Sequence, residues 1–141
     1  MRHYFRKFTG KIHYPDNKQN EFTFELDEDS IGIGMGIHGE QGVGVEKMMT
    51  ADALADKLVD LILADDLPIG SGDEVLVLIN SLGSTTMMEC LIVLKRVKAI
   101  LTEKDIKIYD VLLGPLVTCQ EMAGLSISFT KLDDTLKPLW D

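Results

Sequence analysis

Cysteine is scarce in this sequence of 141 residues, which contains only Cys90 and Cys119. The two lie at no spacing typical of a metal site or a disulfide framework, so we expect neither and infer a reducing compartment. Long hydrophobic runs are also missing, which excludes a membrane-spanning helix. Because the N-terminus is charged and no apolar segment follows it, the sequence predicts no secretory signal. We therefore expect a cytoplasmic protein that does not enter a membrane.

Basic residues are outnumbered, with 14 lysines and arginines against 23 acidic residues and a net charge of −9. Nucleic-acid binding requires a basic surface for the phosphates, so this balance argues against such a partner. The first twenty residues differ from the rest, because they hold five basic side chains and one acidic side chain. They show no clear period and could form an arm, a strand or a non-native addition. Our hypothesis is that residues 1–20 add nothing to the core.

The strands are indicated by the period of the apolar residues. Alternation of apolar and polar residues predicts half-buried strands at 22–26, 31–37 and 125–130. A continuous apolar run predicts a central strand at 75–79 that is buried on both faces. A further strand is expected at 106–112. The sequence thus predicts about five strands.

The helices are indicated by helical spacing and by their caps. One amphipathic helix is expected after Thr50, and a second is opened by Thr86 and Glu89, which have the spacing of a capping box. The same spacing predicts a very short helical segment between Thr118 and Gly124. This order of elements predicts an α+β fold, specifically a two-layer α/β sandwich. We expect a mixed sheet of about five strands and two main helices, mainly on one face.

The most informative stretch is 32–44, where six glycines lie within thirteen residues and His38 is the only imidazole. Glycine is used where the backbone needs a positive φ or approaches another group closely. A histidine in such a run is held by main chain, which suits presenting one ring nitrogen to a small ligand. A structural loop histidine, a nucleophile and an acid/base group all remain open. Glu40 is close enough to orient the ring or raise its pKa, although a solvated carboxylate is the simpler role.

The sequence around His38 indicates neither a nucleotide-binding site nor a metal site. The segment from Gly34 to Gly39 matches G-x-G-x-x-G, but a dinucleotide site needs a helix to begin at the third glycine, and none is expected there. No P-loop sequence occurs, so we expect no nucleotide cofactor on this chain. His3 and His13 are distant in sequence from His38, which disfavours a metal site. Asn80, at a strand end, could line the same sheet edge as His38 or cap the following helix.

Several segments together resemble one family. The loop Gly34–Gly42 strongly resembles the signature loop of the substrate-binding K subunit of dihydroxyacetone (glycerone) kinases. Asn80–Thr85 is similar to that family's Asn-x-Leu-Gly-Gly-Thr turn, with Ser84 in place of the second glycine. Residues 118–126 resemble its Thr-Ser-x-Glu-Met-Ala-Gly-x-Ser segment, and residues 132–141 resemble its C-terminal end. The resemblance covers about residues 22–141 in order.

The resemblance implies a covalent role for His38. In that family the histidine adds to the carbonyl carbon of dihydroxyacetone as a hemiaminal, which selects short ketones and aldehydes over glycerol and orients a hydroxyl for phosphoryl transfer. Gly36, Gly39 and Glu40 would form the substrate-binding loop, and Asn80 is a candidate edge of the site. ADP or ATP with Mg²⁺ is expected on a partner, the nucleotide-binding kinase subunit. Whether the donor is ATP or a phosphotransferase-system phosphoprotein stays open.

The resemblance also implies a missing part. The family's K subunit is about twice as long, and its N-terminal lobe supplies the acid/base histidine and aspartate. We therefore interpret residues 21–141 as a K-subunit-like C-terminal domain, preceded by a segment, 1–20, of uncertain origin. The expected partners are dihydroxyacetone, the nucleotide-binding subunit, the missing lobe and further copies of the chain. The alternative is a non-catalytic relative that senses dihydroxyacetone.

Overall fold

The fold was derived from a computed structural model, which describes residues 2–6, 26–35, 42–65, 68–117 and 122–141. The elements in chain order are β1 (Arg2–Arg6), β2 (Ser30–Ile33), β3 (Gly44–Lys47), α1 (Ala51–Leu63), β4 (Glu74–Ser81), α2 (Met87–Glu103), β5 (Lys107–Gly114), β6 (Gly124–Leu132) and α3 (Lys137–Trp140). The strands form one sheet in the order β3-β2-β1-β6-β4-β5. Strands β4 and β5 pair in parallel, and the other described pairs are antiparallel, so the sheet is mixed.

The core lies between one face of the sheet and the two long helices. Alternate residues of β4, Val75, Val77 and Ile79, are buried there, whereas Leu76 and Leu78 on the opposite face remain partly exposed. Strand β4, which was expected to be buried on both faces of the sheet, is therefore fully buried on one face only. Leu58 of α1 and Val97 of α2 are fully buried against it. This arrangement confirms the expected α+β sandwich with two main helices.

The predicted starts of the two main helices are confirmed. Thr50 Oγ1 accepts a hydrogen bond from the backbone N–H of Ala53 at 3.2 Å. Thr86 and Glu89 form the full capping box, in which Thr86 Oγ1 accepts from Glu89 N and the Glu89 carboxylate accepts from Thr86 N. Each cap satisfies N–H groups that have no partner within the helix. The first turns of α1 and α2 are thereby fixed at the same end of the sheet as the carboxyl end of β4.

The glycine-rich stretch differs from its expectation. The predicted strand 31–37 ends at Ile33, because Gly34 has a φ of +78°, a left-handed conformation that ends an extended strand. No strand was predicted at 44–47, where β3 pairs antiparallel with β2. The predicted strand at 22–26 lies almost wholly outside the described residues. Leu26 is the one residue of this segment that the structure describes, and it belongs to no strand.

The N-terminal residues are part of the sheet. Strand β1, Arg2–Arg6, pairs with β2 on one side and with β6 on the other. The hypothesis that residues 1–20 add nothing to the core is therefore wrong for this strand. Its basic charge and its lack of a period gave no indication that it pairs on both sides within the sheet. Residues 7–20 lie outside the described part of the chain.

The region before β6 also departs from its expectation. The short helix expected between Thr118 and Gly124 begins in 118–121, outside the described residues. Its described end is extended, since Met122 forms a bridge with Gly83 and Gly124 begins β6. Among the described helices, none is long and apolar enough to cross a bilayer.

Candidate functional site

The hairpin between β2 and β3 closes at a narrow base, which we call the hairpin neck: Ile33, Gly34, Gly42 and Val43. Val43 N donates a hydrogen bond to Ile33 O at 2.7 Å. A Cβ on Gly42 would lie 2.5 Å from Ile33 O, and a Cβ on Gly34 would lie 2.7 Å from Val43 Cγ2. Both distances are shorter than side chains tolerate, so the neck requires glycine at both positions.

The predicted site residues His38, Gly36, Gly39 and Glu40 lie outside the described residues, in the segment 36–41. Their roles stay predictions. What the structure describes is how this segment is anchored, because its two flanks meet at the hairpin neck.

A pocket of about 230 Å³ lies beside the neck. Its side chains are apolar, among them Leu26, Ile33, Met35 and Val45, and the remaining lining is glycine backbone. None of these described lining residues carries a titratable group. Proton transfer or covalent chemistry at this place therefore has to come from other residues, and the segment 36–41 is the nearest in sequence.

Asn80 is buried and acts as a clamp rather than as a helix cap. Its Oδ1 accepts from the backbone N–H groups of Leu116 and Val117, both at 2.8 Å. Its Nδ2 donates to Val117 O at 2.6 Å and to Ser126 Oγ at 3.3 Å. The helix cap that Asn80 was considered for is Thr86. The side chain joins the end of β4 to the loop after β5, contacts that the sequence pattern did not indicate.

The turn after Asn80 explains why serine can stand where the resembling motif has glycine. Gly83 has a φ of +128°, which favours glycine, whereas Ser84 is not among the described residues with positive φ. Ser84 N donates to Met122 O at 3.0 Å, and Leu82 N donates to Gly124 O at 3.0 Å. The turn is thus bound by main chain to the segment before β6, and it needs one glycine there rather than two.

One row across the sheet relates the neck to this turn. Ile33 pairs with Tyr4, Tyr4 with Leu125, and Leu125 with Ser81. Three strand spacings separate the ends of this row, about 14 Å. The base of the glycine loop and the end of β4 are therefore at one level of the sheet, with strands β1 and β6 between them. Whether His38 and Asn80 share an edge stays a prediction, because His38 is outside the described residues.

The Dak1 domain family matches residues 9–141 of this sequence. The chain belongs to the Dak1 family. The expected boundary between residues 20 and 21 is not decided by this match and stays a prediction.

The Dak1 domain is similar to several characterised proteins. It is 39% identical over 118 residues to the dihydroxyacetone-binding subunit DhaK of PTS-dependent dihydroxyacetone kinase 2 from Listeria innocua, covering 84% of this chain and 35% of that one. It is 39% identical over 117 residues to a D-erythrulose kinase of Mycolicibacterium smegmatis, covering 83% and 20%. The structure of the dihydroxyacetone kinase operon co-activator Dha-DhaQ superposes with a TM-score of 0.80 at 27% identity, over 95% of this chain and 40% of that one. The chain thus spans about a third or less of these two curated relatives.

A second pocket of the Dak1 domain, about 180 Å³, lies between the first turns of α1 and α2. It is lined mostly by apolar side chains, including Met48, Met49 and Ile92, and the sequence analysis did not indicate it. Two of its polar groups take part in local structure: the Glu89 carboxylate accepts from Thr86 N in the capping box, and the Thr85 carbonyl accepts from Ser81 Oγ at 2.6 Å.

Local hydrogen bonds and burial shift the pKa of several titratable groups in the described part of the chain. Hydrogen bonds from Lys131 and from the backbone of Gly70 lower the pKa of Asp73, and a hydrogen bond from Lys137 lowers the pKa of Glu74. Burial raises the pKa of the Cys90 thiol, as expected for a core cysteine. In the described part of the chain, no group of three or more potential ligands among His, Cys, Asp and Glu could hold a metal ion.

Proposed function

We propose that this Dak1 domain is the substrate-anchoring part of a dihydroxyacetone kinase, with His38 as the covalent anchor. The observation that carries the proposal is the 39% identity to a dihydroxyacetone-binding subunit over 84% of the chain. The hairpin neck supports it, because Gly34 and Gly42 hold both flanks of the segment that contains His38. Gly36, Gly39 and Glu40 would complete the binding loop.

The proposed chemistry is an addition without a leaving group. The unprotonated ring nitrogen of His38 forms a bond to C2 of dihydroxyacetone, and the carbonyl oxygen takes up a proton and becomes a hydroxyl. The other ring nitrogen gives up its proton, so the imidazole stays neutral. Glycerol has no carbonyl group and cannot react in this way. The bond would hold the terminal hydroxyl in one orientation, which lowers the entropic part of the barrier to phosphoryl transfer.

The phosphoryl group itself would come from a partner. ADP or ATP with Mg²⁺ is proposed to bind a separate nucleotide-binding subunit, and either ATP or a phosphotransferase-system phosphoprotein could be the donor. An anchor does not deprotonate the attacking hydroxyl or stabilise the transferred group. We therefore expect background turnover only when the 141-residue chain and that subunit are given a donor, and higher turnover once the longer relatives' N-terminal lobe is added.

A second candidate function is a sensor of dihydroxyacetone without catalysis. The similarity of this chain to a dihydroxyacetone kinase operon co-activator, over 95% of its length, favours it. A covalent sensor would keep His38 and need no acid/base groups. Turnover with the added lobe and partner subunit would favour the kinase, whereas hemiaminal formation without turnover would favour the sensor.

The anchor can be tested directly by NMR. The chain labelled with ¹⁵N-histidine is mixed with dihydroxyacetone labelled with ¹³C at C2, and a one-bond ¹³C–¹⁵N coupling is expected. His38→Ala should abolish the coupling, while the matched variant His13→Ala should retain it. The same coupling in His38→Ala, or none in the wild-type chain at saturating ligand, would contradict the proposal.

A further inference from the structure

Strand β5 lies at one edge of the described sheet. Its eight residues pair with β4 on one side, and no described strand pairs with the other side. An edge of this length offers unpaired N–H and C=O groups to a strand of another chain. Because Leu112 on this strand is 38% exposed, the edge is also apolar in part. It therefore needs protection if the chain is not to pair with copies of itself.

A β-bulge in β5 turns two consecutive side chains toward the C-terminus. The pairing with β4 shifts between Val75 and Leu76, whose partners are Ile108 and Asp110, so Tyr109 is the extra residue. Tyr109 Oη donates to the Asp141 carboxylate at 2.8 and 2.9 Å. Trp140 Nε1 donates to Asp110 Oδ2 at 2.9 Å. In a regular strand consecutive side chains point to opposite faces, so the bulge makes these two contacts compatible.

Two more contacts complete the arrangement of residues 136–141, which we call the C-terminal strap. Lys137 Nζ donates to the Glu74 carboxylate at the start of β4 and lies 5.6 Å from the centroid of the Tyr109 ring. Asp110 Oδ1 accepts from the backbone N–H of Val111 at 2.7 Å. The hydrogen bonds from Trp140 and from the backbone of Val111 lower the pKa of Asp110. The edge strand therefore carries a carboxylate, and the N–H group of Val111 has a side-chain partner.

We propose that the C-terminal strap and the β5 bulge guard this edge against antiparallel pairing with β5 of a second copy. The arrangement combines two devices that block edge-to-edge association, a bulge and a charged side chain on the edge, with a segment bound to side chains of the edge strand. Two identical edges can pair about a two-fold axis, so the unguarded partner is the chain itself. The proposal is independent of the function proposed for His38.

The test compares the intact chain with a variant that lacks residues 136–141, by sedimentation over a range of concentrations. The truncated chain should associate at concentrations where the intact chain does not, and Trp140→Phe should shift association in the same direction by a smaller amount. Leu139→Ala is the matched control, because it trims a side chain that is 82% exposed and leaves the strap contacts in place. Association of the truncated chain equal to that of the intact chain would overturn the proposal.

Amide hydrogen exchange identifies the surface involved. In the associated truncated chain, the amides of 107–114 should exchange more slowly than in the same chain when dilute. Adding Leu112→Lys to the truncated chain puts a charge on the edge and should return the exchange of these amides to the rate seen in the dilute chain. Circular dichroism would confirm that the variant is folded. Association with unchanged exchange in β5 would place the contact elsewhere and overturn the proposal.

Discussion

The two halves of the sheet are built differently. In one half, strands β4, β5 and β6 are eight or nine residues long and pack under α1 and α2, with Val75, Val77, Ile79 and Ile127 almost fully buried. In the other half, β1 has five residues and β2 and β3 have four each. We call them the covered half and the hairpin half. The covered half supplies most of the buried side chains, whereas the hairpin half adds Ile31 and Ile33 to the core and otherwise depends on strand pairing and two glycines.

The proposed substrate anchor belongs to the hairpin half. Buried apolar area stabilises the covered half and leaves little room for a ligand. The hairpin half adds Ile31 and Ile33 to the same core, and its glycine neck holds both flanks of the segment 36–41. The covered half thus supplies most of the core, and the proposed binding loop lies between the two strands of the hairpin half.

The largest effect is expected from removing Arg2–Arg6, the strand that joins the two halves. Without β1, the β2–β3 hairpin loses its pairing partner, and β6 loses the strand on one of its sides. A two-stranded hairpin is at best marginally stable by itself. We expect a loss of more than about 4 kcal/mol in the free energy of unfolding, which is larger than most single substitutions cause. A shift of only a few degrees in thermal midpoint would restore the view that the N-terminus is dispensable.

Sequence reasoning succeeded in the covered half for a physical reason. Periodic burial determines the positions of α1, α2, β4, β5 and β6, and local caps such as Thr86 mark helix starts. In the hairpin half only β2 lies within a predicted alternation, and β1 and β3 depend on pairing partners that the local sequence does not indicate. The pairing of Tyr4 with both Ile33 and Leu125 has no local signal.

The next effect concerns the Asn80 clamp in the covered half. Asn80→Ala removes its hydrogen bonds to Leu116, Val117 and Ser126 and leaves a small cavity in their place. We expect a loss of about 2 kcal/mol in unfolding free energy, measured by urea denaturation, because buried polar groups lose their partners. Asn80→Asp keeps the acceptor and should lose less. Equal losses in the two variants would mean that the acceptor contributes nothing.

A smaller and more local effect is expected at the hairpin neck. Gly42→Ala places a Cβ 2.5 Å from Ile33 O, while Gly44→Ala meets nothing within 4 Å. We expect the first to cost about 1–3 kcal/mol and the second less than about 0.5 kcal/mol. If the neck positions His38, Gly42→Ala should also weaken dihydroxyacetone binding more than its stability loss explains. Equal effects of the two variants on calorimetric affinity would contradict the positioning role.

The candidate site was only partly predictable for the same reasons. The glycine run pointed to a close backbone approach, and the neck shows one at Gly34 and Gly42. The sequence could not show that the strand ends at Ile33, since Met35 and Ile37 continue the alternation. It also gave no sign of the Asn80 clamp, because an asparagine at a strand end has several possible partners and only the folded chain selects among them.

The smallest effect is a pH dependence that should originate in the covered half. The described carboxylates with lowered pKa all lie there: Asp73, Glu74, Asp110 and Asp133. For Glu74 the chief cause is the hydrogen bond from Lys137, so its folded pKa is below the model-compound value of 4.5. A depressed pKa contributes stability that is fully present above 4.5 and is lost as the pH falls through the folded value.

We therefore expect the urea midpoint to be flat near neutral pH and to fall once the solution is more acidic than 4.5. The Glu74→Gln variant should show a shallower fall, because the amide has no charge to lose. Its effect at neutral pH should be small, since solvent screens an exposed pair. Lys137→Met should flatten the acid limb in the same way, as both variants remove one interaction. A steeper fall in either variant would mean that the ion pair does not set this dependence.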